Sequence, residues 1–119
     1  MNFLLDTNFL VYCTKQRIDL MAELSEFGKP ELFVLSAVIE ELEKLAKGKS
    51  ESSMAARLAL DFVKKNAKPL ASKGKADETL LRKSRDFIIC TNDRELITKI
   101  RRRKGKSVSI RNRKLLMMS

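Results

Sequence analysis

Histidine is absent from the 119 residues, and its absence removes whole classes of chemistry. Without imidazole there is no Ser-His-Asp triad, no Cys-His pair and no histidine acid-base couple of the kind that cleaves RNA without metal. Catalysis near neutral pH then falls to carboxylates, lysines or a metal ion. Cysteine is scarce too: Cys13 and Cys90 are the only two. Each lies among apolar neighbours, neither belongs to a CxxC pair, and no histidine stands by to complete a zinc site. Both read as small core residues. No run approaches the roughly 18 uninterrupted apolar residues that a membrane-spanning helix needs. The first apolar run has no basic leader and is broken by Asp6 and Asn8, so no export signal is read. The expectation is a cytoplasmic protein with no membrane partner.

What is present describes one domain, long enough to bury a single core without disulfides or a structural metal. Apolar residues make up 44% of the chain and charged residues 34%, a balance that fits a globular protein with a heavily charged surface rather than a disordered one. Twenty-five Lys and Arg against fifteen Asp and Glu leave a net charge of +10. The excess crowds "KIRRRKGK" (Lys99 to Lys106) and "RNRK" (Arg111 to Lys114), so a polyanion is the natural ligand. No clear amphipathic anchor accompanies these runs, which favours nucleic acid over a membrane surface. Arg101, Arg102, Arg103, Lys104, Arg111 and Arg113 are the candidate RNA backbone contacts, supplying affinity with little sequence choice.

Short apolar runs alternate with longer helical patterns. "NFLL" (Asn2 to Leu5) reads as a buried strand, and "FLVYC" with "RIDLMAELSEFG" as one or two helices ending near Gly28. "ELFVLS" (Glu31 to Ser36) reads as a second strand, with Ser36 placed to cap the helix "AVIEELEKLAKG", which stops at Gly48. "SESSMAARLALDFVKKN" is another amphipathic helix, "KPLA" (Lys68 to Ala71) a short strand and "SKGKA" a loop. "DETLLRKSR" then reads as a short helix, "DFIICT" as a strand, "DRELITKIRRRKG" as a helix and "SVSI" as the last strand. Such alternation predicts an α/β fold with a mainly parallel central sheet.

The first strand runs straight into a carboxylate, in "LLDTN", where Gly or Pro would be the usual turn residues. In open parallel sheets the functional crevice lies beyond the carboxyl ends of the strands, and Asp6 stands at such an end. Asp93 occupies the corresponding place after "DFIICTN", and Asp77 opens the helix after "SKGKA", where the helix N-terminus favours its charged form. Each acid has an ordinary role available: a helix cap or first-turn residue for the aspartates, and pairing with Lys44 or Lys47 for Glu41. Together, however, they put negative charge where phosphate would otherwise bind a basic protein. A divalent cation resolves that conflict, and hard carboxylate oxygens suit Mg²⁺ or Mn²⁺.

The helix "SAVIEELEKLAKG" supplies a further acid. At 100° per residue its apolar stripe is Val38, Leu42 and Leu45, broadened by Ile39 and Ala46. Glu40 falls nearly opposite that stripe and is expected to be solvated, while Glu41 and Glu43 lie on its two flanks. Periodicity does not choose between those two.

The order "LLDTNFL", "VIEELEKL", "ADETLL" and "CTNDREL" resembles the PIN domain family of metal-dependent ribonucleases, over nearly the whole chain from Asp6 to Leu96. It is especially similar to the branch that holds the eukaryotic small-subunit ribosomal RNA processing nuclease and archaeal VapC-like proteins. The resemblance implies a three-layer α/β/α sandwich, with residues 1–119 forming a single nuclease domain and a basic C-terminal segment at 99–114. It implies that Asp6, Glu41, Asp77 and Asp93 are the catalytic, metal-holding acids, so that Glu41 is preferred over Glu43. Asn8 would then help fix the first loop, and Thr91 and Asn92 would line the fourth. The third motif departs from the family's frequent pair of aspartates, because Asp77 is followed by Glu78. The implied reaction is hydrolysis of RNA phosphodiester bonds with Mg²⁺ or Mn²⁺, either in ribosomal RNA maturation or as a toxin restrained by an antitoxin protein. A homodimer is consistent with the resemblance. The rival reading is a non-catalytic RNA-binding module that works through the basic segment alone.

Overall fold

The computed structural model describes residues 1–119. Six strands form one sheet: β1 (Asn2–Leu5), β2 (Glu31–Leu35), β3 (Ala67–Leu70), β4 (Ile88–Cys90), β5 (Ser107–Arg111) and β6 (Lys114–Met118). Their order across the sheet is β3-β2-β1-β4-β5-β6. All neighbours pair parallel except β5 and β6, which are antiparallel. The helices are α1 (Thr7–Lys15), α2 (Leu20–Ser25), α3 (Ser36–Ala46), α4 (Glu51–Asn66), α5 (Ala76–Lys83) and α6 (Arg94–Arg102).

Central β1 is buried from Phe3 through Leu5, as a parallel strand covered on both faces must be. From β1 the chain steps outward to β2 and β3, then returns to the other side of β1 for β4 and β5. With right-handed crossovers that reversal puts the two sets of helices on opposite faces. Accordingly α1, α3 and α4 pack on one another, while α5 packs on α6. The result is the three-layer sandwich with a mainly parallel sheet.

The core joins β1, β2, β4 and β5 to the apolar faces of the helices, with Phe3, Phe9, Leu35, Leu42, Leu80 and Ile89 completely buried. Cys13 and Cys90 belong to it. Burial pushes the Cys13 thiol up to about 12 and raises that of Cys90, as expected for inert core thiols. On α3, Val38 and Leu42 are buried and Ile39, Leu45 and Ala46 pack against the core, so the stripe read from periodicity is the stripe that folds inward.

Two local expectations are corrected. "SVSI" is not the last strand, because "RNRK" closes a two-residue hairpin: Arg111 pairs with Lys114, and Asn112 and Arg113 between them have φ of 51° and 62°. Two positive φ values are the signature of a type I′ turn. Ser36 does not cap α3 either. It lies inside the first turn, and the capping hydroxyl comes from Ser72, whose Oγ accepts from Ala37 N at 3.1 Å. Ser72 N in turn donates to Ser36 Oγ at 3.0 Å, tying the β3–α5 loop to the start of α3.

Candidate active site

Between β1 and β4 the strand order changes direction, and the crevice at such a point is where parallel α/β sheets bind ligands. Asp6 and Asp93 stand on its two sides. The register pairs Leu5 with Cys90, which carries Asp6 abreast of Thr91. There Asp6 N donates to Cys90 O at 3.0 Å, and Thr91 Oγ1 donates to Asp6 Oδ2 at 2.8 Å. Asp6 Oδ1 accepts from Thr7 N at 2.8 Å. Both carboxylate oxygens are thus held before any ligand arrives.

Asp93 caps α6, its Oδ1 accepting from Glu95 N at 2.9 Å and Leu96 N at 3.2 Å, while Oδ2 has no protein partner. The ordinary role and the candidate role coexist in one side chain. Asp77 sits in the first turn of α5, delivered by a loop that turns at Gly74 with φ +80° and is anchored by the Ser36–Ser72 pair. Glu41 reaches the same space from α3.

These four acids line one open cleft of about 730 Å³, together with Thr7, Asn8 and Asn92. Glu43 is not part of its wall, whereas Glu40 is. Glu40 is exposed, as periodicity requires, and also lines the cleft. Glu78 lies outside the cleft, in a shallow depression between α5 and α6 that also touches Asp77 and Asp93. Thr91 is completely buried and supports the cleft from beneath instead of lining it. Asn92 Oδ1 accepts from Ile110 N at 2.8 Å, fixing the fourth loop to β5. Asn8 makes no side-chain hydrogen bond within the protein, so the first loop is held by Asp6 and Thr91 rather than by Asn8, whose exposed amide faces the cleft.

Sequence reasoning missed two cations on the cleft wall, Lys44 and Lys75. Lys44 was visible only as a helix partner for Glu41, and Lys75 only as part of a loop. Neither closes an ion pair with the acids, since the single salt bridge of the protein joins Lys99 to Glu95 at 3.3 Å. The basic segment is divided: Arg101 and Arg111 line a groove beside the cleft, Arg103 and Lys104 meet Arg82 and Arg85 elsewhere, and Arg113 donates to Gln16 O at 3.1 Å.

Burial pushes the Asp6 carboxyl above its ordinary range. Hydrogen bonds from Thr91 and Thr7 oppose the rise, and the negative charges of Asp77 and Glu41 add to it. Charge of opposite sign would relieve both causes. No group of three or more of these side chains is gathered closely enough to hold an ion by itself. Mg²⁺ does not need such a cage, because it keeps several waters and binds through one or two carboxylates plus substrate phosphate. Hard, unpaired carboxylates around an open polar cleft fit that mode. Thr7 Oγ1 is the one buried side-chain polar atom without a hydrogen-bond partner.

Comparison with known proteins bears on the family and the fold. The family model described as PIN like domain matches residues 3–113. Ribonuclease VapC4 of Methanocaldococcus jannaschii is 35% identical over 103 residues, covering 80% of this chain and 79% of its own. Ribonuclease VapC9 of Archaeoglobus fulgidus is 31% identical over 101 residues, covering 82% and 74%. The solved structure of the PIN domain endonuclease Utp24 superimposes with a TM-score of 0.80 at 29% identity, over 98% of this chain and 90% of that one. With its acids at the sheet's switch point, its matched span and its ribonuclease relatives, this chain belongs to the PIN-like domain family.

Proposed function

We propose that the chain is a divalent-metal-dependent endoribonuclease of the cytoplasm, hydrolysing RNA phosphodiester bonds at the acidic cleft. The observation that carries this reading is the meeting of Asp6, Glu41, Asp77 and Asp93, from four separate segments, on one cleft with no salt bridge to neutralise them. Structural acids would be expected to pair with some of the 25 basic residues.

In this reading the four acids would share the metal, one or two by direct coordination and the others through its waters, with Asp77, rather than Glu78, as the third-motif acid. Mg²⁺ or Mn²⁺ bound there supplies Lewis acidity toward a phosphoryl oxygen and a water of lowered pKa. Asp6, clamped by Thr7 and Thr91, keeps its position without reorganising when charge develops. Asp93 presents its free oxygen while its other one anchors α6. Lys44 and Lys75 offer ammonium groups to the phosphate oxygens that the acids repel. Glu40, exposed on the same wall, adds negative charge that a bound polyanion must face.

Two roles share this chemistry. As a VapC-type toxin the protein would be restrained by an antitoxin covering the cleft; as a ribosomal RNA maturation enzyme it would cut one precursor site. A homodimer belongs to the same proposal. The test is incubation with structured and unstructured RNA in Mg²⁺, Mn²⁺ or chelator, with every cut mapped. Metal-dependent cuts that vanish in Asp93→Asn support the reading. RNA binding without cleavage in either metal overturns it in favour of a binding module.

A further inference from the structure

We propose that the groove beside the acidic cleft is the seat of the single-stranded RNA flanking the cut, with Arg94, Arg101 and Arg111 on its phosphates and Tyr12 stacked on a base. The choice of RNA as ligand rests on the ribonuclease reading, but the groove's features stand apart from it. The groove, about 590 Å³, meets the cleft at Asn92, which lines both. Five carboxylates and two lysines wall the cleft; three arginines and no acid wall the groove. A strand crossing Asn92 would pass from the place that needs a cation to a place that supplies cations.

Arg94, Thr98 and Arg101 stand at i, i+4 and i+7 on α6, one stripe of the helix, with the two arginines roughly 10 Å apart along the axis at 1.5 Å per residue. Arg111 faces them from the end of β5. All three are exposed and none is in a salt bridge. Arg101 is steadied by Met118, its guanidinium 3.8 Å from Sδ. Ile97, Ile110 and Met118 give the groove apolar surface, suited to ribose and base rather than to phosphate alone.

Tyr12 is the chain's sole tyrosine. On α1 its neighbours Phe9, Leu10, Val11 and Cys13 are buried, yet Tyr12 is 44% exposed and its hydroxyl bonds to nothing in the protein. An exposed ring beside a cationic groove is the arrangement that stacks unpaired bases, and duplex RNA offers no such base. Arg82, Arg85, Arg103 and Lys104 form a second basic patch that shares no lining residue with cleft or groove and carries no aromatic, so it serves as the internal comparison.

The test measures affinity of the intact chain for single-stranded RNA in chelator over a range of salt. Arg94→Ala with Arg111→Ala is expected to weaken binding at least about tenfold and to make the logarithmic salt slope shallower by about 1.4, at roughly 0.7 per contact. Tyr12→Leu is expected to weaken binding about tenfold with the slope unchanged, while Tyr12→Phe binds as the parent does. Arg103→Ala with Lys104→Ala should stay within about twofold. All substituted side chains are exposed, and matching thermal melts check that each variant folds. Equal losses from the two basic pairs, or groove variants that bind like the parent, overturn the proposal. Cleavage is scored separately: the groove pattern without any metal-dependent cut sinks the ribonuclease reading alone, and cuts with unaltered groove variants sink the groove alone.

Discussion

Thr91 and Asp6, 85 residues apart in sequence, share a buried 2.8 Å hydrogen bond from Oγ1 to Oδ2. It joins the ends of the two strands where the sheet changes direction, and it orients the Asp6 carboxylate while opposing the rise that burial imposes on it.

Thr91→Val therefore removes more than a methyl-for-hydroxyl exchange suggests. The buried acceptor is left unsatisfied, at a cost of about 1–3 kcal/mol, and Asp6 loses the largest influence holding its carboxyl down. Denaturant unfolding should show the stability loss, and the acidic limb of the pH–rate profile should move to higher pH. Thr91→Ser should restore both.

Asp6→Asn should stabilise the metal-free protein near neutral pH while lowering cleavage at least about 100-fold, beyond the 10–100-fold typical of groups behind a metal ligand. The Asp6 carboxyl is raised in the folded state, so the folded chain keeps a proton that the unfolded chain releases. That contribution is present at pH below the ordinary aspartate value and is lost as pH rises through the raised one. Urea midpoints in chelator between pH 3 and 8, about the range that spans the transition, should thus fall more steeply with rising pH for the parent than for Asp6→Asn.

Along α3 the three glutamates should separate. Glu41→Gln is expected to lose at least about 100-fold in rate, Glu43→Gln, off the cleft wall, to stay within about twofold, and Glu40→Gln to change mainly the KM for RNA because it is an exposed charge on the cleft wall. Steady-state kinetics on one defined substrate resolves the order, and an inactive Glu43→Gln would reassign the site.

Ser72→Ala removes the hydroxyl that caps α3 and ties the loop bearing Lys75 and Asp77. A stability loss of about 1 kcal/mol is expected from the cap, together with reduced cleavage. Ser36→Ala should reproduce the kinetic loss with a smaller effect on stability, since its own hydroxyl caps no helix.

Cys13 and Cys90 should resist thiol reagents in the native state and react at the rate of global unfolding, because burial keeps both protonated. Labelling rates across denaturant would follow the unfolding curve. Fast labelling of Cys13 in water would mean that α1 opens locally.

Much of the fold was legible because its signals are local. Strand and helix periods announced β1, β2, β3, β4, β5 and the helices around them, and Asp6 and Asp93 were visible because a strand end is a position in the sequence as well as in space. β6 was hidden by its turn: Asn112–Arg113 adopts positive φ at both positions without the glycine that usually marks such a hairpin, and "RNRK" read as charge rather than as geometry. Its strain is offset in part by the Arg113 bond to Gln16 O.

By itself the sequence determined the alternation of elements, the missing imidazole chemistry, the excess of positive charge and the acids at the junctions, since each depends on residue identity or on spacing along one element. Only the tertiary structure decided which groups share a site. The order β2-β1-β4 brings Asp6 to Asp93, the Ser36–Ser72 pair sets where Lys75 and Asp77 stand, and the packing of α6 against β5 sends Arg101 to the groove and Arg103 with Lys104 away from it. Successive helical residues point 100° apart, so a run of basic residues has no single direction until the helix that carries it is packed.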